Sequence, residues 1–429
     1  MFIYLRAMMK ALLAILLIAL LILSFPGMMN PAHAQSPSSD FSEVDSYIHE
    51  TMRHLPIKGL ALSIVKGDQI LYMQGYGTAN AQGDPATPQT PWPMGSVTKS
   101  FTALAIRQLA AAGKVNLDAP LQTYLPEFRL ADPHAASAIT IRHLIDHTSG
   151  ISKQEGEAPY LHSPATKFAE NLDRLAGYRP VYQPGEHEEY SNWNYVLLGQ
   201  VVTRVSGQPY AEYVDENIFA PLGMSRSSFA DYSSLSHAAT GNLISFGFSV
   251  PYDEKSVLGM IGASVLTSTS EDMAHYLSLF LGKGQYQGKS LLPAGGVGQY
   301  GPMWHWIRGS SEPDTVYGLS GGLNSISTTC LTYPHQQMGV VLLLNTRLDQ
   351  FPGVSAYDIA RGIGDIILDH PYPTPFGSAL YKPWVILDGA VLLFIMAILW
   401  QATRLKGWRN RYRSSRRSDK VLTWAGIVF

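Results

Sequence analysis

The sequence is poor in cysteine and in charged residues. Its 429 residues contain a single cysteine, Cys330, which excludes an internal disulfide and a cysteine-based metal site. Charged residues make up 15% of the chain, below the roughly 25% that is usual for globular proteins. The formal net charge is -2, and the body of the chain has no basic patch with interleaved aromatic residues. The composition therefore does not indicate nucleic-acid binding.

The N-terminus has the features of an export signal. Arg6 and Lys10 precede the apolar run 11–25, and Ala32-His33-Ala34 has the small-x-small form of a cleavage site. We predict a signal peptide over residues 1–34. An uncleaved N-terminal anchor is the alternative, because the apolar run is long for a signal. In both cases the body of the protein is exported.

The C-terminus has the features of a membrane anchor. A proline-rich linker over residues 371–383 leads to residues 384–400, which are nearly all apolar and have a tryptophan at each end. Seventeen helical residues rise about 25 Å, close to the lower limit for crossing a bilayer. A basic segment follows within 401–429, which places that end in the cytoplasm by the positive-inside rule. The sequence thus predicts a single span in contact with membrane lipid, with the main domain extracellular or periplasmic. The tail ends in a short apolar stretch, 421–429, for which the sequence leaves open an interfacial position or the start of a second span.

The main domain, predicted over residues 41–370, combines strands from both of its ends. Alternating apolar residues predict strands at 60–65 and 69–75, and β-rich runs recur at 324–332 and 339–344. The chain between them, from about 116 to 236, is helical and loop-rich. A strand is expected at 263–267 and helices at 270–281 and 357–368. This order indicates an α+β fold with an antiparallel sheet flanked by helices, plus a helical subdomain.

Ser96 and Lys99 form the first candidate catalytic pair. Gly95-Ser96 opens a predicted helix, and residues three apart on a helix share a face. A serine hydroxyl becomes a nucleophile when a neighbouring base takes its proton, and a lysine can be that base when its pKa is lowered. The free N–H groups at a helix start can stabilise an oxyanion. The pattern therefore favours acyl transfer.

A second copy of the same spacing shows that the pattern alone is not specific. Ser63-Ile64-Val65-Lys66 also fits Ser-x-x-Lys, but it lies in a predicted strand. Successive side chains alternate between the two faces of a strand, so Ser63 and Lys66 are expected to point apart. The helical context selects Ser96 and Lys99.

Two further segments complete the pattern. Tyr190-Ser191-Asn192 lies between a polar loop and an apolar helix, and Leu319-Ser320-Gly321-Gly322 precedes the late β-rich runs. Together with Ser96-x-x-Lys99, the order and residue types resemble the serine β-lactamase and penicillin-binding-protein superfamily. The similarity is greatest to its branch of class C β-lactamases, D,D-peptidases and esterases. It extends to the phrases His147-Thr148-Ser149-Gly150 and Pro221-Leu222-Gly223-Met224.

The resemblance implies a role for each motif residue. Ser96 would be the acylated nucleophile, Lys99 would help remove its proton, and Tyr190 would act as base toward the serine and acid toward the leaving group. Asn192 would hydrogen-bond the substrate or Lys99. A tyrosine needs nearby cationic charge to serve as a base near neutrality, so the residues alone leave open whether Lys99 or Tyr190 takes the proton.

The third motif would supply the substrate-binding strand. Ser320, Gly321 and Gly322 would bind substrate, with the N–H groups of Ser96 and Gly322 forming the oxyanion hole. The family usually has Lys or His where this sequence has Leu319. Losing that cation fits an ester or an uncharged amide better than an acidic peptide end. The expected substrate is a small molecule or peptide, and no cofactor or metal is predicted.

Three other interpretations remain open from the sequence. Gly318-Leu319-Ser320-Gly321-Gly322 also fits the nucleophile elbow of α/β-hydrolases, which needs a strand before the serine and a helix after it. His143 and His147 have a spacing that suits a metal on a helix, although no third ligand is evident and a structural role is favoured. Finally, the domain could be a non-catalytic envelope module that binds peptides or a partner in the same cleft.

Overall fold

The computed structural model describes residues 41–157, 168–245, 248–254, 258–292, 316–348, 354–372 and 389–401. The chain divides into two compact units. One comprises Met1–Ile244 and Ser249–Ser378, and the other comprises Ser245–Phe248 and Ala379–Phe429. The predicted signal peptide 1–34, most of the linker 371–383 and nearly all of the tail 401–429 lie outside the described residues and stay predictions.

The described α-helices and strands follow the expected order of strands, helices and strands again. The helices are α1 Ser42–His54, α2 Thr98–Ala111, α3 Pro133–Ala138, α4 Ile141–Ile145, α5 Lys153–Gly156, α6 Phe168–Leu175, α7 Asn192–Ser206, α8 Tyr210–Val214, α9 Ala220–Leu222, α10 Ser270–Leu281 and α11 Ala356–Ile367. The strands are β1 Gly59–Lys66, β2 Gln69–Gly77, β3 Trp92–Pro93, β4 Gly241–Ser245, β5 Phe248–Tyr252, β6 Thr267–Ser268, β7 Gln285–Tyr286, β8 Lys289–Ser290, β9 Tyr317–Gly322, β10 Ser327–Tyr333 and β11 Met338–Leu344.

A five-stranded sheet in the order β2-β1-β11-β10-β9 forms the centre of the first unit. Its pairings are antiparallel, and β1 from the start of the domain lies beside β11 from its end, with Ser63 opposite Val341. The predicted antiparallel sheet built from both ends of the domain is therefore confirmed. Strand β9, which carries the third motif, lies at the edge of this sheet.

The two faces of the sheet pack against different helices. Alternate residues of β1, β10 and β11, such as Leu62, Leu331 and Leu342, join a core with α1 and α11. The intervening residues, such as Val65 and Val341, join the larger core with α10 and the helical region around α2 and α7. This alternation follows from the two-residue period of a strand, and it makes the central strands apolar on both faces.

Three local expectations differ from the structure. The predicted strand at 263–267 is a turn at 263–264 and irregular at 265–266, and only Thr267–Ser268 pairs as a strand. The predicted helix at Ser96 begins with a single 3-10 turn, Gly95–Val97, before α2 starts. The third motif precedes the late strands β10 and β11 as expected, but it also forms a strand that was not predicted, β9.

The described part of the second unit includes a helix over residues 389–401. Its large apolar side chains are exposed, with Phe394 at 67% of its full accessibility. Among the helices that the structure describes, none has both the length and the apolar character needed to cross a bilayer. The transmembrane helix predicted over 384–400 thus stays a prediction, and residues 384–388 lie outside the described chain.

Candidate active site

The candidate nucleophile lies in the tight turn that leads into α2. Gly95 has a φ of +52°, a left-handed conformation that favours glycine, and it is the first residue of the 3-10 turn Gly95–Val97. Thr98 Oγ1 donates to Gly95 O at 2.7 Å and accepts from Leu266 N at 3.1 Å, which fixes the turn from inside. The turn holds Ser96 at the wall of a cleft of about 800 Å³.

Lys99 lies one helical turn further on and is buried, with 1% of its surface exposed. Its Nζ lies 3.2 Å from Ser96 Oγ, 2.8 Å from Asn192 Oδ1 and 2.8 Å from Ala263 O. A neutral amine has two N–H donors and one lone pair. The two shorter contacts, to oxygens that can only accept, use both donors, so the lone pair faces the serine hydroxyl.

Tyr190 and Asn192 reach the same point from the segment that precedes α7. Tyr190 Oη lies 2.6 Å from Ser96 Oγ and 3.3 Å from Asn192 Oδ1. The Asn192 amide group donates to Gly156 O and to Glu157 Oε1, each at 3.1 Å, which orients its oxygen toward Lys99. The structure therefore brings together the three predicted catalytic residues and Asn192.

Burial sets the protonation states in this cluster. Burial lowers the pKa of Lys99 to about 7, although the carboxylate of Glu157 opposes this shift. Burial also raises the pKa of Tyr190 well above its ordinary value of 10, and the hydrogen bond between Tyr190 and Ser96 offsets only part of this. Near neutral pH the lysine therefore has a substantial neutral fraction, while the tyrosine keeps its proton.

Strand β9 forms the opposite wall and approaches the serine turn at backbone distance. A methyl group added at Gly95 would lie 2.9 Å from Gly322 N, and one added at Gly321 would lie 2.1 Å from Met94 O and 3.1 Å from Ser96 N. Only glycine fits at this contact. This close contact between β9 and the serine turn brings the backbone amides of Ser96 and Gly322, the two predicted oxyanion donors, to the same end of the cleft.

Thr328 joins this wall to the serine turn, and sequence reasoning did not identify it. Its Oγ1 lies 3.1 Å from Met94 O and 3.2 Å from Gly321 O, so the hydroxyl can donate to either carbonyl. Thr328 is opposite Gly321 in the pairing of β10 with β9. No local motif marks it, because its role depends on pairing between distant strands.

The remaining residues of the third motif lie on the cleft wall. Ser320 is exposed, lines the cleft and has its hydroxyl 3.5 Å from Thr329 Oγ1. Leu319 also lines the cleft but is 4% exposed and belongs to the core on the α10 face. Arg347 lines the same cleft, with its Nε 3.9 Å from a methyl added at Gly322. Sequence reasoning did not identify this cation.

The two histidines of the 143–147 segment have separate partners. His143 forms a capping box with Thr140 at the start of α4. His147 lies in the cleft beside Tyr190, with ring centroids 4.7 Å apart. No group of three or more His, Cys, Asp or Glu side chains arranged to hold a metal occurs within the part of the chain that the structure describes.

The nucleophile-elbow interpretation of Ser320 is wrong. Such an elbow needs a helix directly after the serine, but Ser320 lies inside β9 and a short turn leads from there into β10. Ser63 and Lys66, the second Ser-x-x-Lys pair, lie in a strand as expected. Ser63 is fully buried on the α10 face of the sheet, opposite Val341, whereas Lys66 ends β1 in solvent.

Comparisons with known proteins identify a family and several relatives of this chain. The family model described as "Beta-lactamase" matches residues 44–362. Protein flp of Staphylococcus aureus (strain NCTC 8325 / PS 47) is 27% identical over 404 residues, which cover 90% of this chain and 79% of that protein. Esterase EstB of Burkholderia gladioli is 34% identical over 201 residues, or 43% of this chain and 50% of the esterase.

Two solved structures share the fold of this chain. The octameric penicillin-binding protein homologue from Pyrococcus abyssi superposes with a TM-score of 0.63 at 26% identity. The superposition covers 77% of this chain and 78% of the homologue. A class C beta-lactamase, at 20% identity and a TM-score of 0.62, shares the fold over 78% of this chain.

Proposed function

The chain belongs to the beta-lactamase family, and we propose that it is a serine hydrolase that acts through an acyl-enzyme at Ser96. The observation that carries the proposal is the meeting of the Ser96 and Lys99 side chains with Tyr190, which is 94 residues from Ser96 along the chain. Ser96 Oγ lies 2.6 Å from Tyr190 Oη and 3.2 Å from Lys99 Nζ. Such a cluster at the wall of a cleft has the parts that nucleophilic catalysis needs.

Lys99 is the group that accepts the serine proton in this mechanism. Its lowered pKa gives it a free lone pair near neutrality, and that lone pair faces Ser96 Oγ. As the Ser96 oxygen attacks the substrate carbonyl, its proton passes to Lys99 and the amine becomes an ammonium. The three N–H groups of the Lys99 ammonium then face three acceptor oxygens, on Ser96, Asn192 and Ala263. The charged lysine is therefore fully hydrogen-bonded as well.

Tyr190 then delivers a proton to the leaving group. Its phenol stays protonated because burial raises its pKa, so it is not the initial base. Once its proton has passed to the leaving group, the Lys99 ammonium returns a proton to the phenolate oxygen and becomes neutral again. Its Oη reaches Ser96 Oγ directly. The developing oxyanion is stabilised by the backbone N–H groups of Ser96 and Gly322, which the close contact between the serine turn and β9 brings to one end of the cleft.

An ester or an uncharged amide is the substrate class that we propose. Leu319 places an aliphatic side chain where the family usually has a cation, and that side chain packs into the core. The esterase relative, EstB of Burkholderia gladioli, supports this choice. A cell-wall peptide or a β-lactam is the other substrate class of the family, and the same acyl-enzyme chemistry would serve it.

The test uses the purified protein with a panel of p-nitrophenyl esters, a fluorescent β-lactam and a D-alanyl peptide. Ser96→Ala should abolish turnover, and Ser63→Ala is the matched control because it removes the hydroxyl of the second Ser-x-x-Lys. Ser63 Oγ is buried and has no hydrogen-bond partner among the described residues, so its loss should leave activity intact. Normal turnover by Ser96→Ala would overturn the proposal.

A non-catalytic module that binds peptides in the same cleft is the second candidate function. The missing cation at Leu319 is the observation that favours it. In that case the wild-type protein would turn over none of the panel and would bind a peptide equally well with or without the Ser96 hydroxyl. Turnover that depends on Ser96 excludes this candidate.

We also propose that the protein is held in the membrane by residues 384–400, with the main domain outside. Support comes from the exposed apolar side chains of the helix 389–401 and from the basic residues that follow it. Leu393→Lys combined with Ile395→Lys should move the full chain from the membrane fraction to the soluble fraction after carbonate extraction. An unchanged distribution of protein from which residues 1–34 have been removed, as checked by N-terminal sequencing, would contradict the anchor.

A further inference from the structure

The segment His147–Gly150 takes no part in the proposed mechanism, although His147 lies beside the catalytic residue Tyr190. His147 has a φ of 55°, which is uncommon for a residue other than glycine, and its side chain is 8% exposed. It lines the cleft that contains Ser96, Lys99 and Tyr190. Its partners therefore bear on how the cleft is held together.

His147 holds the chain on both sides of Tyr190. Its backbone oxygen accepts from Glu189 N at 2.8 Å, and its Nδ1 accepts from Ser191 N at 3.1 Å. Its ring also stacks on the ring of Tyr190, with centroids 4.7 Å apart and planes 30° apart. One residue thus fixes the residue before the tyrosine, the residue after it and the plane of its ring.

A buried side-chain network assigns the tautomer of this histidine. Ser149 Oγ donates to Asn194 Oδ1 at 2.6 Å, so the Asn194 amide group faces His147 Nδ1 as a donor at 3.0 Å. With two donors directed at it, Nδ1 carries no proton, and the proton of the neutral ring lies on Nε2. Burial and the nearby Lys99 lower the pKa of His147 to about 3, so the ring stays neutral at working pH.

Tyr190 depends on such support because it lies just before α7, outside any helix or strand. Its phenol must stay within hydrogen-bond distance of Ser96 Oγ, which is 2.6 Å away. A displacement of about 1 Å in a catalytic group can lower a rate by about a hundredfold. A small rotation of the Tyr190 backbone would move its phenol by that much.

We propose that His147, oriented by Asn194, is a positioning residue that holds the Tyr190 phenol against Ser96. The inference rests on the proposed function, since it assigns to His147 an effect on catalysis that acts through Tyr190. It also gives a role to the segment His147-Thr148-Ser149-Gly150, which the sequence analysis singled out and the proposed mechanism does not use. His143, on the preceding helix, has no part in it because its ring caps α4.

The experiment is a double-mutant cycle on the full-length protein between His147→Asn and Tyr190→Phe. Asparagine tolerates a positive φ and keeps an acceptor for Ser191 N, but it removes the ring stack. The readouts are kcat and KM for a p-nitrophenyl ester, with the melting temperature as a check on folding. In the wild-type background we expect kcat to fall by about tenfold or more while KM changes little.

In the Tyr190→Phe background the same substitution should change kcat by less than about twofold, because the phenol that it positions is absent. Equal losses in both backgrounds, or a parallel change in KM, would show that His147 acts elsewhere and would overturn the inference. If His147→Asn does not fold, the cycle is run with Asn194→Ala, which leaves His147 in place and carries the same two outcomes.

The cycle also separates this inference from the proposed function. If the wild-type protein forms no acyl-enzyme with the ester, the proposed function fails and the inference fails with it. If the wild-type protein is active and the two losses are equal, the inference alone fails.

Discussion

The dependence of the reaction on pH is the prediction that the structure defines most closely. Lys99 is buried among two carbonyl oxygens and the serine hydroxyl, and burial lowers its pKa to about 7. Only its neutral form can accept the Ser96 proton. The value of kcat/KM reports ionisations of the free enzyme, so it should rise with pH and level off above about pH 7.

The expected size of this change follows from the fraction of neutral lysine. With a pKa of about 7, roughly 9% of Lys99 is neutral at pH 6 and roughly 91% at pH 8, so kcat/KM should rise about tenfold between them. A tyrosinate base behaves differently. Because burial holds the pKa of Tyr190 above 10, the phenolate fraction would rise about a hundredfold over the same two pH units.

The assay measures kcat/KM for a p-nitrophenyl ester from pH 5.5 to 8.5 (about three pH units, spanning the lysine titration). Absorbance is read at the isosbestic point of p-nitrophenol, because the product itself titrates in this range. Ser96→Ala serves as the blank and removes spontaneous hydrolysis. A ratio of about ten supports Lys99 as base. A ratio near one hundred would assign the base to Tyr190, and a flat profile would refute both.

Three further predictions concern residues around this pair. Glu157→Gln should lower the pKa of Lys99 further, because the carboxylate raises it, so the pH 8 to pH 6 ratio should fall below the wild-type value. Gly321→Ala should lower kcat by about a hundredfold or more through loss of the oxyanion contact, whereas Gly322→Ala, whose added methyl has its nearest neighbour at 3.7 Å, should lose far less. Thr328→Val should lower the melting temperature and kcat together, since its hydroxyl joins β9 to the serine turn.

Each of these has a result that would contradict it. A larger pH 8 to pH 6 ratio in Glu157→Gln would mean that the carboxylate does not act on Lys99 as the structure indicates. Equal rates for the two glycine variants, measured in the same ester assay, would remove the steric argument at β9. Thr328→Val with wild-type kcat would show that the serine turn holds its position without that hydroxyl.

Much of this architecture could be predicted because it is encoded locally. Strand periodicity indicated β1, β2, β10 and β11, and the helical spacing of residues three apart placed Lys99 on the same face as Ser96. The same physics correctly set aside Ser63. These features depend on a few neighbouring residues, so one stretch of sequence suffices to predict them.

The parts that sequence reasoning missed depend on distant contacts. The segment expected as a strand at 263–267 begins as a turn, because Gly262 adopts a φ of +87° against α7, and Ala263 O accepts from Lys99 instead of pairing in a sheet. The contacts of His147 and Thr328 are with groups far along the chain, so no local pattern predicts these contacts. The pKa of Lys99 likewise depends on burial by the whole fold, so the sequence alone left open the choice between lysine and tyrosine as base.

The most direct test of the account is to locate the acylated residue. The full-length protein is incubated with a fluorophosphonate, digested and analysed by peptide mass spectrometry, with Ser63→Ala and Ser96→Ala treated in parallel. The account predicts one adduct, on the peptide that contains Ser96, in the wild-type protein and in Ser63→Ala, and none in Ser96→Ala. An adduct on Ser320 or on any other residue that persists in Ser96→Ala would contradict it.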